Sequence, residues 1–196
     1  MQLQDRTYSP EEYLQLEEQA EYKSEYHDGE IIPMTGGTTN HNEISLNLVT
    51  NLRSSLKKQN YRVYMADVRL WIPRHRLYTY PDVMLIKGEP IYADQGTTTV
   101  TNPVMITEVL SPSTQNYDQG DKFAYYRSIP EMQEYILVSQ QQYHVMQYTK
   151  TEAGKWLLSE YVSEHATEAA EIQLESVDLV WNLAEIYTGV DFSNTK

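Results

Sequence analysis

"NPVMITEVLSPST", from Asn102 to Thr114, places one carboxylate, Glu108, inside an apolar run from Val104 to Leu110. A short apolar run closed by turn residues reads as a buried strand. An isolated carboxylate in such a strand costs several kcal/mol or neutralises itself, so Glu108 requires a charged, hydrogen-bonding or metallic partner. From the residues alone two partners stand open. One is a metal shared with a second acid; the other is a buried Glu–Arg or Glu–Lys pair.

Upstream, "YPDVMLIK" (Tyr80–Lys87) is a second apolar strand, and Asp82 opens it. If the two strands are neighbours, Asp82 and Glu108 converge at one end of a sheet. Two carboxylates that close repel each other, and a divalent cation relieves the repulsion. Magnesium suits such a site, with one or two carboxylates and the remaining positions filled by water and phosphate oxygens. Pro81-Asp82 is also a common turn pair, so Asp82 on its own carries little weight.

Further out, Ser9-Pro10-Glu11-Glu12 predicts a capped first helix. "EYHDGEIIPM" predicts a hairpin turning at Asp28-Gly29. "GGTTNHNEISLNLVTNLRSSLKK" leads into a helix with Ile44, Leu48, Leu52 and Leu56 on one stripe. "YRVYM", "VRLWI", "QEYILVS", "YHVMQYTK" and "KWLLSEYVS" read as strands, the last two as a hairpin around Gly154. "PRHRLYTYP", "GEPIYADQGTTTVTN" and "SPSTQNYDQG" read as connections, "DKFAYYRSI" as a short helix ended by Pro130, and "NLAEIYTGV" as a last short helix. The sum is an α/β (α+β) arrangement, a central mixed sheet flanked by helices.

The 196 residues fit a single domain, 1–196, with acidic N- and C-terminal extensions. Cysteine is absent, which excludes disulfides, thiolate zinc sites and cysteine nucleophiles and agrees with a cytoplasmic protein. No signal peptide and no apolar run of membrane-spanning length is visible. The net charge of −13 argues against nucleic acid until it is divided along the chain. Residues 1–30 and 152–196 each carry a net −7, whereas residues 31–151 carry +1. The acidic ends are therefore expected to face away from any nucleic-acid site. No serine or histidine arrangement resembles a triad, and no glycine pattern resembles a nucleotide loop.

The ordered set "YPDVMLIK … PVMITEVLSPSTQNYDQGDKFAYYRSIPEMQEYILVS" resembles the Uma family, restriction-endonuclease-like proteins of bacteria placed in the PD-(D/E)xK nuclease superfamily. The resemblance implies a restriction-endonuclease-like core and a divalent-metal-dependent endonuclease that hydrolyses DNA, with Mg²⁺ or Mn²⁺ as cofactor. It implies Asp82 and Glu108 as metal ligands. The superfamily pattern puts a lysine two positions after the acid, but this sequence has Leu110 there. The resemblance then points to Lys122 on the following helix, a residue that alone reads as an ordinary surface lysine. An additional acid from the helix before the sheet would be Glu43. That residue lies roughly 160° from the apolar stripe on a period of 3.6, so it would act from the first helical turn. His41 falls nearer the stripe and is the alternative to it. Dimerisation would suit double-strand cutting, and no membrane partner is expected. The rivals are a nuclease fold that only binds or assembles, and a metal-dependent hydrolase of another phosphate ester.

Overall fold

In the computed structural model, which describes residues 6–164 and 170–193, the first helix starts where its caps require. Ser9 Oγ accepts from the Glu12 amide, the Glu12 carboxylate accepts from the Ser9 amide, and Pro10 begins α1 (Pro10–Glu17). The hairpin β1 (Ser24–His27) and β2 (Glu30–Pro33) turns through Asp28 and Gly29 at φ of 42° and 114°. Both residues lie in the positive-φ region that a tight hairpin turn demands. Helix α2 (Thr39–Ser55) follows, capped by Thr38, with Ile44, Leu48 and Leu52 buried along one face as the stripe anticipates.

Next come β3 (Tyr61–Met65), β4 (Arg69–Ile72), β5 (Leu77–Thr79), β6 (Val83–Lys87), β7 (Thr99–Val100) and β8 (Met105–Leu110). A helical passage of α3 (Gln115–Tyr117), a π-helical turn (Asp118–Lys122) and α4 (Phe123–Tyr126) leads to β9 (Glu134–Ser139). The chain continues through β10 (His144–Lys150), β11 (Trp156–Val162), β12 (Glu171–Leu174), β13 (Leu179–Asn182) and α5 (Leu183–Ile186).

The main sheet runs in the order β11-β10-β9-β8-β6-β3, mixed because β8 and β9 are parallel and the other pairs antiparallel. A smaller sheet, β2-β1-β5-β4-β7, and the ribbon β12-β13 complete the layers. The period of two divides the main sheet between two cores. Val83, Leu85, Met105, Val109, Ile136 and Val138 pack with α2, α5 and Trp181 on one face. Met84, Ile86, Ile106, Leu110, Tyr135 and Leu137 pack on the other with β4, β5 and Tyr126. Glu108 shares its parity with Ile106 and Leu110, so it points into this second layer.

The connections hold more structure than their composition suggests. "PRHRLYTYP" contains β5, only three residues long and buried throughout, which leaves no alternation to read. "SPSTQNYDQG" contains α3 and most of the π turn, so the helical passage begins before Asp121. The acidic C-terminal segment contributes β12 and β13, whose Ile172, Leu174 and Trp181 are buried in the first core. Among the described residues, no helix is long and apolar enough to cross a membrane.

Helix α1 is fixed to the small sheet by tyrosines. The Tyr13 ring stacks 5.3 Å from both Tyr26 and Tyr78, and its hydroxyl donates to the Ser24 carbonyl at 2.6 Å. The Arg69 guanidinium lies 5.7 and 5.4 Å from the Tyr13 and Tyr78 rings. Because Tyr13 is fully buried, Tyr13→Ala should lower stability by about 3–5 kcal/mol, as for other large aromatic truncations. Urea denaturation measures this; a loss within about 0.5 kcal/mol, typical of a surface change, would show that α1 is not part of the cooperative unit.

Candidate active site

The pairing of β6 with β8 sets the site. Val83 lies opposite Thr107, so the next residue on each strand brings Asp82 beside Glu108. The Asp82 amide donates to Glu108 Oε2 at 3.1 Å, and Asp82 Oδ2 accepts from the Val109 amide at 2.8 Å. The two acids are thus locked to each other through the backbone of both strands. Glu108 is 3 % exposed. Its Oε1 accepts from Tyr126 Oη at 2.6 Å and from Lys122 Nζ at 3.1 Å.

Lys122 arrives from the helical passage that crosses above β8. Its ammonium sits 3.1 Å from Glu108, 3.1 Å from Asp118 Oδ1 and 4.0 Å from Glu25 Oε1. The Asp118 contact is ionic rather than a directed hydrogen bond, and Asp118 Oδ2 accepts instead from Thr114 Oγ1 at 2.7 Å. Tyr135 Oη donates to the Asp118 carbonyl at 2.9 Å and fastens the π turn to β9. Such widened turns are frequent at functional sites.

Strand β1 supplies the last carboxylate. Glu25 accepts a short hydrogen bond from Thr79 and pairs with His27 Nε2 at 2.9 Å, and Tyr117 Oη lies 3.2 Å from that same nitrogen. On the far side His41 Nε2 meets Asp82 Oδ2 at 3.1 Å. Gln140 ties the frame together, meeting the Thr38 hydroxyl through Oε1 and donating to the Leu110 carbonyl at 2.9 Å. These side chains surround a cavity of about 530 Å³.

Four carboxylates (Glu25, Asp82, Glu108 and Asp118) thus face one ammonium and the imidazoles of His27 and His41, and burial together with these neighbours sets the protonation states. Burial pushes the Glu108 carboxyl up to about 8, against the pull of Lys122 and with the added push of Asp82 and Asp118. Burial opposes ionisation of Asp82 too, but the His41 hydrogen bond and charge and the Val109 amide together hold it below the ordinary carboxylate range. His41 is raised by the reverse of that contact, its own burial notwithstanding. Burial likewise works against Glu25, yet His27, Lys122 and Thr79 keep it low. Lys122 loses solvation on burial, and the charges of Glu108, Asp118 and Glu25 more than restore its proton.

Asp82, Glu108, Lys122 and His41 are therefore brought together, and Glu43 is not. It lies on the exposed side of α2, where its carboxylate packs beside Gly189. Two residues beyond His41 a helix has turned about 200°, so the two side chains cannot share a site and His41 takes the place. The acidic N-terminal segment is not turned away either, because β1 carries Glu25 and His27 into the cavity wall. Glu25 escapes a sequence reading because a carboxylate beside a hairpin turn looks like the solvated half of an alternating strand. Asp118 carries a legible signal, since it precedes Lys122 by four residues on a helix.

A family model described as "Putative restriction endonuclease", Uma2, matches residues 10–183. The chain belongs to the Uma2 family. A protein of Synechocystis sp., "Uncharacterized protein sll1609", is 46 % identical over 155 residues, covering 79 % of this chain and 88 % of its own. A second from that organism, slr1290, is 37 % identical over 184 residues, 94 % of this chain and 93 % of its own. Among solved structures, a "putative nuclease belonging to DUF820" from Anabaena variabilis superposes with a TM-score of 0.74 at 19 % identity, covering 92 % of this chain and 98 % of that one. At that identity the match establishes the fold: these strands and helices form a nuclease-like scaffold, and the acids sit where β6 and β8 meet.

The charge imbalance makes a pH prediction. Glu108 holds its proton up to about 8 in the fold against an ordinary value of 4.5. The folded state therefore binds more protons than the unfolded chain between those limits. Its contribution is complete below 4.5 and is lost as pH rises through about 8. His41, raised above 6.5, acts in the same direction over the upper part of the window. The lowered groups Glu25 and Asp82 lose their contributions only as pH falls below the ordinary carboxylate range. In EDTA, the stability of wild type relative to Glu108→Gln should decline as pH is raised from 4.5 to about 8. Urea titrations across that range check it; a difference that stays flat or rises contradicts the assignment.

Proposed function

We propose that the chain is a divalent-metal-dependent nuclease that hydrolyses phosphodiester bonds of DNA at Asp82 and Glu108. One observation carries the reading: two strand-locked carboxylates share a cavity with a lysine 3.1 Å from one of them and an excess of negative charge around it. The donor set fits a hard cation. Among the described residues no three or more His, Asp or Glu side chains are arranged to hold a metal ion between them, so the protein would supply two carboxylates and leave the other positions to water and substrate oxygens. Both hydrogen bonds to the Asp82 side chain fall on Oδ2, so Oδ1 is available on a residue that lines the cavity.

Asp82 and Glu108 would hold Mg²⁺ or Mn²⁺. When bound, such an ion supplies Lewis-acid stabilisation of the phosphate and a water of lowered pKa. The protein's own part is positioning and charge. Lys122 places its ammonium where negative charge develops on the phosphate oxygens or where an attacking water is oriented. Asp118 and Tyr135 restrain the turn that carries it, Tyr126 fixes the Glu108 carboxylate, and His41 fixes Asp82. Family membership supports DNA as the substrate. A non-cleaving module on the same scaffold is the second reading, favoured by the entry of Glu25 into the cavity wall.

Plasmid or oligonucleotide DNA should be cut in Mg²⁺ or Mn²⁺ and left intact in EDTA. Asp82→Ala should abolish cutting, and Lys122→Met should slow it by about 10²–10³-fold, the scale of losing one preorganised charge. Melting temperatures are measured beside the rates because Lys122 is buried. Mn²⁺ titration by calorimetry should show binding to wild type and a marked loss in Glu108→Gln. Absence of both cleavage and Mn²⁺ binding in the wild type would leave the non-cleaving module as the reading.

A further inference from the structure

The cavity at Asp82 has a neighbour. A second cavity, of about 430 Å³, adjoins it and shares Asp82, His41, Tyr80 and the Met34–Thr38 strap as a common wall. Each is the size of a small-ligand pocket, a class that spans about 300–1,000 Å³. Asp82 thus lies at the junction of two nucleotide-scale chambers. Each chamber presents a tyrosine: Tyr117 lines the first, and Tyr22, 78 % exposed, lines the second.

The walls carry five carboxylates, Glu21, Glu25, Asp82, Glu108 and Asp118, and few positive charges. The two cavities count Lys122 and Lys23 as their lysine and arginine lining among the described residues. Lys122 is surrounded by Glu108, Asp118 and Glu25, and Lys23 is paired with Asp67 at 2.6 Å. Duplex DNA is gripped differently, through broad positive surfaces that neutralise many phosphates. Here Glu108 is sunk below the surface; the Tyr117 ring is met by Lys122 at 5.5 Å and His27 at 5.6 Å, whereas Tyr22 is exposed. Stacking on a ring face requires a base whose own face is free, a condition that single strands meet and a paired helix does not.

We propose that the substrate is a single-stranded nucleic acid, threaded so that one phosphate sits at Asp82 with its flanking nucleotides in the two chambers and the base in the second chamber stacked on Tyr22. This rests on the nuclease reading of the same site and specifies which form of the polymer it takes. It accounts for the acidic ends, because a few stacked bases and one cation-bridged phosphate need no basic face.

Fluorescence anisotropy with the full chain in Ca²⁺ tests it, using labelled oligo-dT, oligo-rU and a blunt DNA duplex of equal length. At least one single strand should bind about tenfold or more tightly than the duplex. Tyr22→Ala should weaken that binding by about tenfold, the scale of one lost base stack, and Tyr22→Phe should restore it. Binding should also fall only shallowly with salt, with a log–log slope of about −0.7 for each phosphate neutralised. The dT and rU arms show whether the 2′-hydroxyl is accepted. Equal or tighter binding of duplex, no effect of Tyr22→Ala, or no binding of any strand overturns the proposal. Binding is read without turnover, so loss of cleavage alone would count against the nuclease reading and not against this one.

Discussion

Glu108 is a carboxylate placed in the middle of a sheet, and most of the second layer is arranged around the consequence. Left alone, a charge in that position would be too expensive to keep. It is met on one oxygen by Lys122 and Tyr126 and on the other by the Asp82 amide. The amide is available only because β6 pairs with β8 in the register that sets Val83 against Thr107. A slip of one residue would turn every side chain of the strand to the other face and would drive Glu108 into the aliphatic core around Leu48 and Val138. The register is therefore fixed by the same residue that it serves.

Compensation of Glu108 is incomplete by design of the neighbourhood. Lys122 and the raised imidazole of His41 face three further carboxylates, Asp118, Glu25 and Asp82, within the same cavity. Hydrogen bonds from Thr79, Thr114 and the Val109 amide hold these acids in place without neutralising them. A buried cluster in this condition retains a proton or accepts a cation, and burial, with the added push of Asp82 and Asp118, raises the Glu108 carboxyl accordingly. The small sheet is part of this arrangement: the pairing of β1 with β5 and the Tyr13–Tyr26–Tyr78 stack together hold β1 where Glu25 reaches the lysine.

The strand carrying Glu108, the strand opening at Asp82 and the stripe of α2 were all legible in sequence because each has a clean period. The strand β5 was not, since three residues buried on both faces show no alternation, and β12 with β13 were hidden by the acidic composition around them. In the site, Asp82 and Glu108 were visible as charges at apolar strands, and Lys122 followed from the family resemblance. Glu25 and Tyr126 were invisible, because their partners, Lys122 and Glu108, lie 97 and 18 residues away from them in the chain and become neighbours only when β1 and α4 are folded over β8. Glu43 misled for a local reason: the acid is at the right end of α2 but on the wrong side of it.

The position of the lysine shows how a sheet and a helix can exchange a duty. Two residues after Glu108 the strand returns to the same face, and a lysine there would share the Glu108 surroundings directly. Leu110 occupies that position, packs into the second core, and gives its carbonyl to Gln140. The charge comes instead from the turn above. A lysine stem is flexible and loses rotamer freedom when fixed, so delivery from a helix succeeds only if the ammonium is held at both ends of its reach. Asp118, one turn earlier, provides the near restraint, Glu108 the far one, and the Tyr117 ring lies 5.5 Å from the ammonium. Leu110 thereby completes the core while the π turn carries the charge, and the strand no longer has to do both.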